Sequence, residues 1–262
     1  MKIFLLLIVT SILLFFNNVW ANNSCSRENT VQIAVAANFA TTLDTLSQKF
    51  TEQMHYCIEK NVSSTTVLYN QIINGAPYDI YLSADAIMPS LLIKKGLVLP
   101  KQRITYAIGQ LVLVAPYQSQ VNSQLLQKNN ITLAISNPAL APYGQAAKQV
   151  LIHLQLWSHF KEKVIMANDV SQVLTYLVQG GIEAGFISLA QVKYLQQHGK
   201  NKMVVNDYWL VPQQLYQPIL QQAVVLKHGE NNKAALAFFA YLSSTEARKI
   251  ISTAGYTVQN LN

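Results

Sequence analysis

Four short stretches of this chain combine neutral hydrogen-bond donors with the expected start of a helix. In AANFATT, Asn38 follows a short apolar run, and Phe39, Leu43, Leu46 and Phe50 then recur at helical spacing. In VSSTTVLYNQIING, the hydroxyl residues Ser63, Ser64, Thr65 and Thr66 precede a helix that should end at Asn74-Gly75. In SNPALAPYGQAAKQVL, Pro142 suits a first helical turn and Tyr143 follows it, with its hydroxyl aimed toward the strand ends. In MANDVSQVLTYL, Asn168, Asp169 and Ser171 compete as caps, while Val170 can offer only its backbone N–H. A helix start carries unpaired N–H groups and the positive end of the helix dipole, so such turns, gathered around one point, would hold an anion.

None of the four stretches contains Arg, and Lys148 lies more than a turn inside its helix. An anion held there would rest on N–H groups, hydroxyls and dipoles rather than on a counter-charge. Such a site favours an anion without a proton. A protonated phosphate wants an acceptor beside it, whereas sulfate, molybdate and tungstate need donors alone. The nearby carboxylate, Asp169, is expected to cap its helix, and Asn38 is read as an N-cap whose amide NH2 stays free to donate. The hydroxyl run at 63–66 exceeds what capping needs, although a polar loop has the same composition. Tyr143 taken alone also fits a packing residue with a wet hydroxyl.

The elements that must position these turns alternate along the chain. Apolar strand candidates VQIAVAA, YDIYLSA, ITLAIS, VIMA and AGFISLA are each followed by an amphipathic helix, which predicts doubly wound parallel sheets in an α/β fold. Two long apolar stretches, 103–117 and 208–226, read as two passes of the chain between two lobes. This places lobe 1 at 22–108 and 215–262 and lobe 2 at 109–214, with a last helix, NNKAALAFFAYLSSTEARKIISTAG, returning to lobe 1. Ligands of open α/β sheets sit beyond the carboxyl ends of the strands, so facing lobes would enclose a cleft lined by the four turns.

Residues 1–21 read as a cleaved signal peptide: Lys2, an apolar run from Ile3 to Phe16, and small residues ending at Ala21. Removing it leaves 241 of the 262 residues and a net charge of +6 in place of +7. Export to the periplasm follows, and an oxidising compartment favours pairing Cys25 with Cys57 across the first strand and helix. Closing that loop would stabilise the fold by about 3–4 kcal/mol in the chain-entropy model. The spacing fits neither a metal site nor a redox pair. The positive charge suits an anionic ligand or surface, but Lys and Arg are scattered and lack the clustered footprint of a nucleic-acid binder, so no nucleic-acid partner is expected. No G-x-S-x-G, H-E-x-x-H or phosphate-cradling lysine loop is present, and His55, His153, His159, His198 and His228 lack ligand spacing. An enzyme is therefore not expected.

The segments AVAANF, LYNQIINGAPYDIYLSAD with the hydroxyl run before it, AISNPALAPYGQAAKQVL and NDVSQVLTYLVQGGIEAGFISLAQV resemble the periplasmic molybdate-binding proteins that feed ABC transporters. The resemblance runs from Val31 to the C-terminus, with GAPYDIYLSAD and APYG its most specific pieces and 208–226 similar to the family's return segment. It implies a type II periplasmic binding protein fold, two lobes closing over a tetrahedral oxoanion, molybdate or tungstate, and delivery to a membrane permease. The expected state is a monomer with no cofactor and no directly coordinated metal, molybdenum being held as its oxoanion. Matched residue by residue, the resemblance implies ligand contacts from Asn38, Thr65 with Ser64 beside it, Tyr143 and the Val170 backbone. Ser188 stands where some members carry a tyrosine hydroxyl, and Thr66-Val67 replaces the family's usual Gly-Lys.

Overall fold

The computed structural model describes residues 25–128, 130–198 and 207–258. The expected leader lies outside the described residues. Two five-stranded sheets form, each flanked by helices. The first contains β1 (Thr30–Ala36), β2 (Cys57–Ser63), β3 (Ile80–Ser83), β4 (Val98–Gly109) and β10 (Ile219–Leu226), in the order β2-β1-β3-β10-β4. The second contains β5 (Leu111–Val114), β6 (Leu133–Ser136), β7 (Ile165–Ala167), β8 (Ala184–Ser188) and β9 (Tyr208–Leu210), in the order β7-β6-β8-β5-β9. The chain crosses from one sheet to the other at Gln110 and returns between Leu210 and Ile219.

The first sheet is packed by α1 (Ala40–Met54), α2 (Thr65–Ile73), α3 (Ile87–Lys94), α8 (Lys233–Tyr241) and α9 (Thr245–Thr253). In the second, α4 (Pro142–His153) follows β6 and leads into α5 (Trp157–Phe160), while α6 (Val170–Val178) and α7 (Leu189–His198) follow β7 and β8. Pleating divides the first core in two. Val31, Ile33, Val35, Ile80 and Leu82 pack with Leu43, Phe50 and Phe238 on one face, while Ala34, Tyr81 and Val224 meet Leu68, Ile72 and Leu92 on the other. Helices on both faces are why β1 is apolar along nearly its whole length instead of alternating.

Three details depart from the sequence expectation. Each sheet is mixed: β10 runs antiparallel to β3 and β4, and β5 antiparallel to β8 and β9, because a strand entering from the other sheet arrives without a crossover helix. Strand β2 was not expected, since CIEKNVS is a largely exposed, charged edge strand with no apolar signal. The single C-terminal helix is two, because the Ser244 hydroxyl accepts from the Ala247 N–H at 3.1 Å and starts α9 anew. A disulfide joins Cys25 to Cys57 with Cα atoms 5.8 Å apart, tying the lead-in to β1 to the start of the neighbouring β2.

Candidate anion-binding site

Strands β1, β2 and β3 run parallel, as do β6, β7 and β8, and the ends of both sets meet at a pocket between the sheets. Ala36, Ala37, Asn38, Ser64, Thr65, Ala84, Ala141, Pro142, Tyr143, Asp169 and Val170 line it. All four sequence turns therefore converge. No Lys or Arg is among the lining residues.

Ser64 precedes α2 in extended conformation, yet its hydroxyl caps nothing and, although buried, has no hydrogen-bond partner. Thr65 beside it is bound into the frame: its Oγ1 accepts from the Ala84 N–H at 3.2 Å and its carbonyl accepts from the Tyr81 hydroxyl at 2.7 Å. Across the pocket, Pro142 and Tyr143 form the first turn of α4. That turn lies so close to the end of β6 that a Cβ on Gly144 would stand 2.0 Å from the Ser136 carbonyl oxygen, which is why glycine follows the tyrosine. The Tyr143 hydroxyl is also buried without a partner in bonding geometry, although Asn38 and Tyr256 lie near it. Burial pushes its pKa well above the ordinary tyrosine range, so it stays a neutral donor.

Asp169 wins the competition to cap α6, its Oδ1 accepting from the Ser171 and Gln172 N–H groups at 2.8 and 3.0 Å. The Val170 N–H at the first helical position has no acceptor within the helix. Asn38 corrects the sequence reading. It lies in a 3-10 turn, Ala37–Phe39, and makes no cap bond to α1. Its NH2 is not free: it donates to Gln221 Oε1 at 2.9 Å and to the Tyr256 hydroxyl at 3.1 Å, while that hydroxyl donates to the Asn38 carbonyl at 2.7 Å. Asn38 still lines the pocket, and its backbone N–H belongs to the first turn of a helical segment, where no acceptor precedes it in the turn.

Ser188 is not brought to the pocket. It forms a capping box with Gln191, its Oγ bonded to Gln191 Oε1 at 3.0 Å and accepting from the Gln191 N–H at 3.2 Å. S-L-A-Q at 188–191 carried that signal in the sequence. Gln221 and Tyr256 had no such signal, because they reach Asn38 from 183 and 218 residues away.

A larger groove opens at the opposite end of β1, around Asp79 and His228. Its carboxylate is already filled by the Gln32 N–H, the Asn232 amide and His228, at 2.8, 3.0 and 2.9 Å. None of its lining residues is among the buried side chains left without a hydrogen-bond partner. Among the described residues no group of three or more His, Cys, Asp or Glu could hold a metal ion.

The small pocket thus presents two unpaired hydroxyls beside the starts of several helices. Comparison with known proteins agrees with the fold that builds it. Residues 31–257 match the family of bacterial extracellular solute-binding proteins. The chain is 37% identical to a molybdate-binding protein of Azotobacter vinelandii over 87% of its length and 90% of the relative's, and 33% identical to one of Rhodobacter capsulatus over 86% and 87%. The solved periplasmic molybdate-binding protein of Azotobacter vinelandii superimposes with a TM-score of 0.81, at 35% identity over 87% of this chain and 99% of the other. With its two sheets, its cleft of helix starts and a match over nearly all its described length, this chain belongs to the bacterial extracellular solute-binding proteins.

Proposed function

We propose that this protein captures molybdate, and with it tungstate, in the pocket between its two sheets and delivers the ion to the permease of an ABC transporter in the periplasm. The observation that carries the reading is the pair of buried, partnerless hydroxyls, Ser64 Oγ and Tyr143 OH, on opposite walls of a pocket without a cation. A buried hydroxyl left unbonded costs about 1–3 kcal/mol, so the arrangement makes sense when an incoming acceptor meets both. The backbone N–H groups of Asn38 and Val170 add donors carrying the positive end of a helix dipole. A dianion without protons fits this set. The lining carboxylate, Asp169, has its Oδ1 bound to the two backbone donors at the start of its own helix. The relatives named as molybdate-binding support the same choice. No bond of the ligand is made or broken.

Thermal unfolding with molybdate, tungstate, sulfate and phosphate at equal concentration and ionic strength tests this. A ligand at 100 times its Kd stabilises by about 2.7 kcal/mol. Molybdate and tungstate are expected to raise the midpoint and sulfate and phosphate to leave it. A shift with sulfate alone would reassign the ligand, and no shift with any would remove the oxoanion reading.

A further inference from the structure

We propose that Tyr256 and Gln221, neither of which lines the pocket, are positioning residues that hold the Asn38 turn where its N–H can meet the bound ion. The inference rests on the oxoanion reading of the pocket. The Tyr256 hydroxyl binds Asn38 twice, donating to its carbonyl at 2.7 Å and accepting from its Nδ2 at 3.1 Å. Gln221, fully buried in β10, takes the other Nδ2 proton at 2.9 Å and is itself oriented by donating to the Ile219 carbonyl at 3.2 Å. Carbonyl and side chain of Asn38 are thereby both fixed, and the peptide planes of the turn have little freedom left. The anchor is itself anchored. The Tyr256 ring packs edge-on against Phe39, with centroids 5.3 Å apart. Its neighbour Thr257 exchanges backbone bonds with Ile108 at 2.7 and 3.0 Å and accepts from the Gln110 side chain at 3.0 Å. The C-terminal segment therefore clasps the strand at the crossing between sheets with one residue and the ligand turn with the next. Donors held in place before the ion arrives need no ordering on binding.

Calorimetric titration with molybdate tests the role. Tyr256→Phe keeps the ring and its packing but removes both bonds to Asn38, and an affinity loss of about tenfold or more is expected, the order of one buried hydrogen bond. Gln221→Leu should act in the same direction. Tyr106→Phe is the control. Its ring packs on the same Phe39 at 4.8 Å and its buried hydroxyl has no partner, so affinity should stay within about twofold. A purely structural role lowers the unfolding midpoint without changing the Kd of the molecules that remain folded, so an affinity within about twofold of the unaltered protein for Tyr256→Phe would overturn the proposal. Should the unaltered protein bind none of the four oxoanions, the proposed function fails, and positioning is read from midpoints of the unliganded Asn38→Ala, Tyr256→Phe and double variants. Losses smaller together than the sum of the two support the link, and additive losses overturn it.

Discussion

Tyr143 and Ser64 each hold a buried hydroxyl that has no hydrogen-bond partner in the protein. Such an atom weakens the empty protein and strengthens the complex, so removing it should separate the two properties. Tyr143→Phe and Ser64→Ala are each expected to weaken molybdate binding by about 1–3 kcal/mol while leaving chemical unfolding of the unliganded protein unchanged or slightly more resistant. Ser188→Ala should do the reverse. Losing its capping box costs about 1 kcal/mol of stability and leaves affinity intact, because the hydroxyl lies outside the pocket. Titration and urea unfolding of the three variants distinguish these outcomes, and weakened binding by Ser188→Ala would show that Gln191, which Ser188 holds and which donates to the Val170 carbonyl at 3.2 Å, fixes that turn for the ion. The placement of two of these residues was legible in the sequence, because it is local: Tyr143 stands after the proline that starts its helix, and Val170 follows its own cap. Asn38 was legible as a position and not as a role, since the partners that claim its NH2 come from β10 and the C-terminal segment.

Helix starts place these donors, and their geometry depends on small residues as much as on caps. Gly144 lies in the first turn of α4, where an alanine would ordinarily help a helix by about 1 kcal/mol. Here its Cβ would fall 2.0 Å from the Ser136 carbonyl oxygen and 3.0 Å from the Asn137 carbonyl carbon, both backbone atoms. The helix must therefore move off the strand end and carry Tyr143 with it. Gly144→Ala is expected to lower stability by about 1–3 kcal/mol, as overpacking does, and to weaken molybdate binding as well. Unaltered affinity with lowered stability would mean that the Tyr143 hydroxyl is not held by this contact. At this scale the strand–helix alternation could be read because buried strands are short apolar runs and helices repeat their apolar faces. Two features could not. The edge strand β2 is polar because one side meets solvent, and the direction of β5 and β10 is set by where the chain changes sheets, which periodicity does not record.

At the scale of the whole molecule, the two halves are drawn together over the pocket. Thr66 at the start of α2 donates its N–H to the Leu140 carbonyl at 3.1 Å and its hydroxyl to the Ala139 carbonyl at 3.3 Å, both in the loop before α4. Ser171 Oγ reaches the Ala37 carbonyl at 3.4 Å. Ala37 packs into the core of the second sheet, and Ala190 of α7 into that of the first. Closing without an ion buries Ser64 and Tyr143 unpaired, which opposes these contacts; closing over an ion turns the same hydroxyls into charge-assisted donors. On the proposed function, the ligand would shift the population toward the closed arrangement by its differential contacts there. X-ray scattering should show the unliganded protein with the larger radius of gyration and a contraction on adding molybdate. Thr66→Val, which removes one bond across the mouth while sparing the residues that line the pocket, should speed release more than it slows capture in stopped-flow measurements. Identical scattering with and without molybdate would mean that closure does not depend on the ion, and the two unpaired hydroxyls would then be carried by a closed state stable without it.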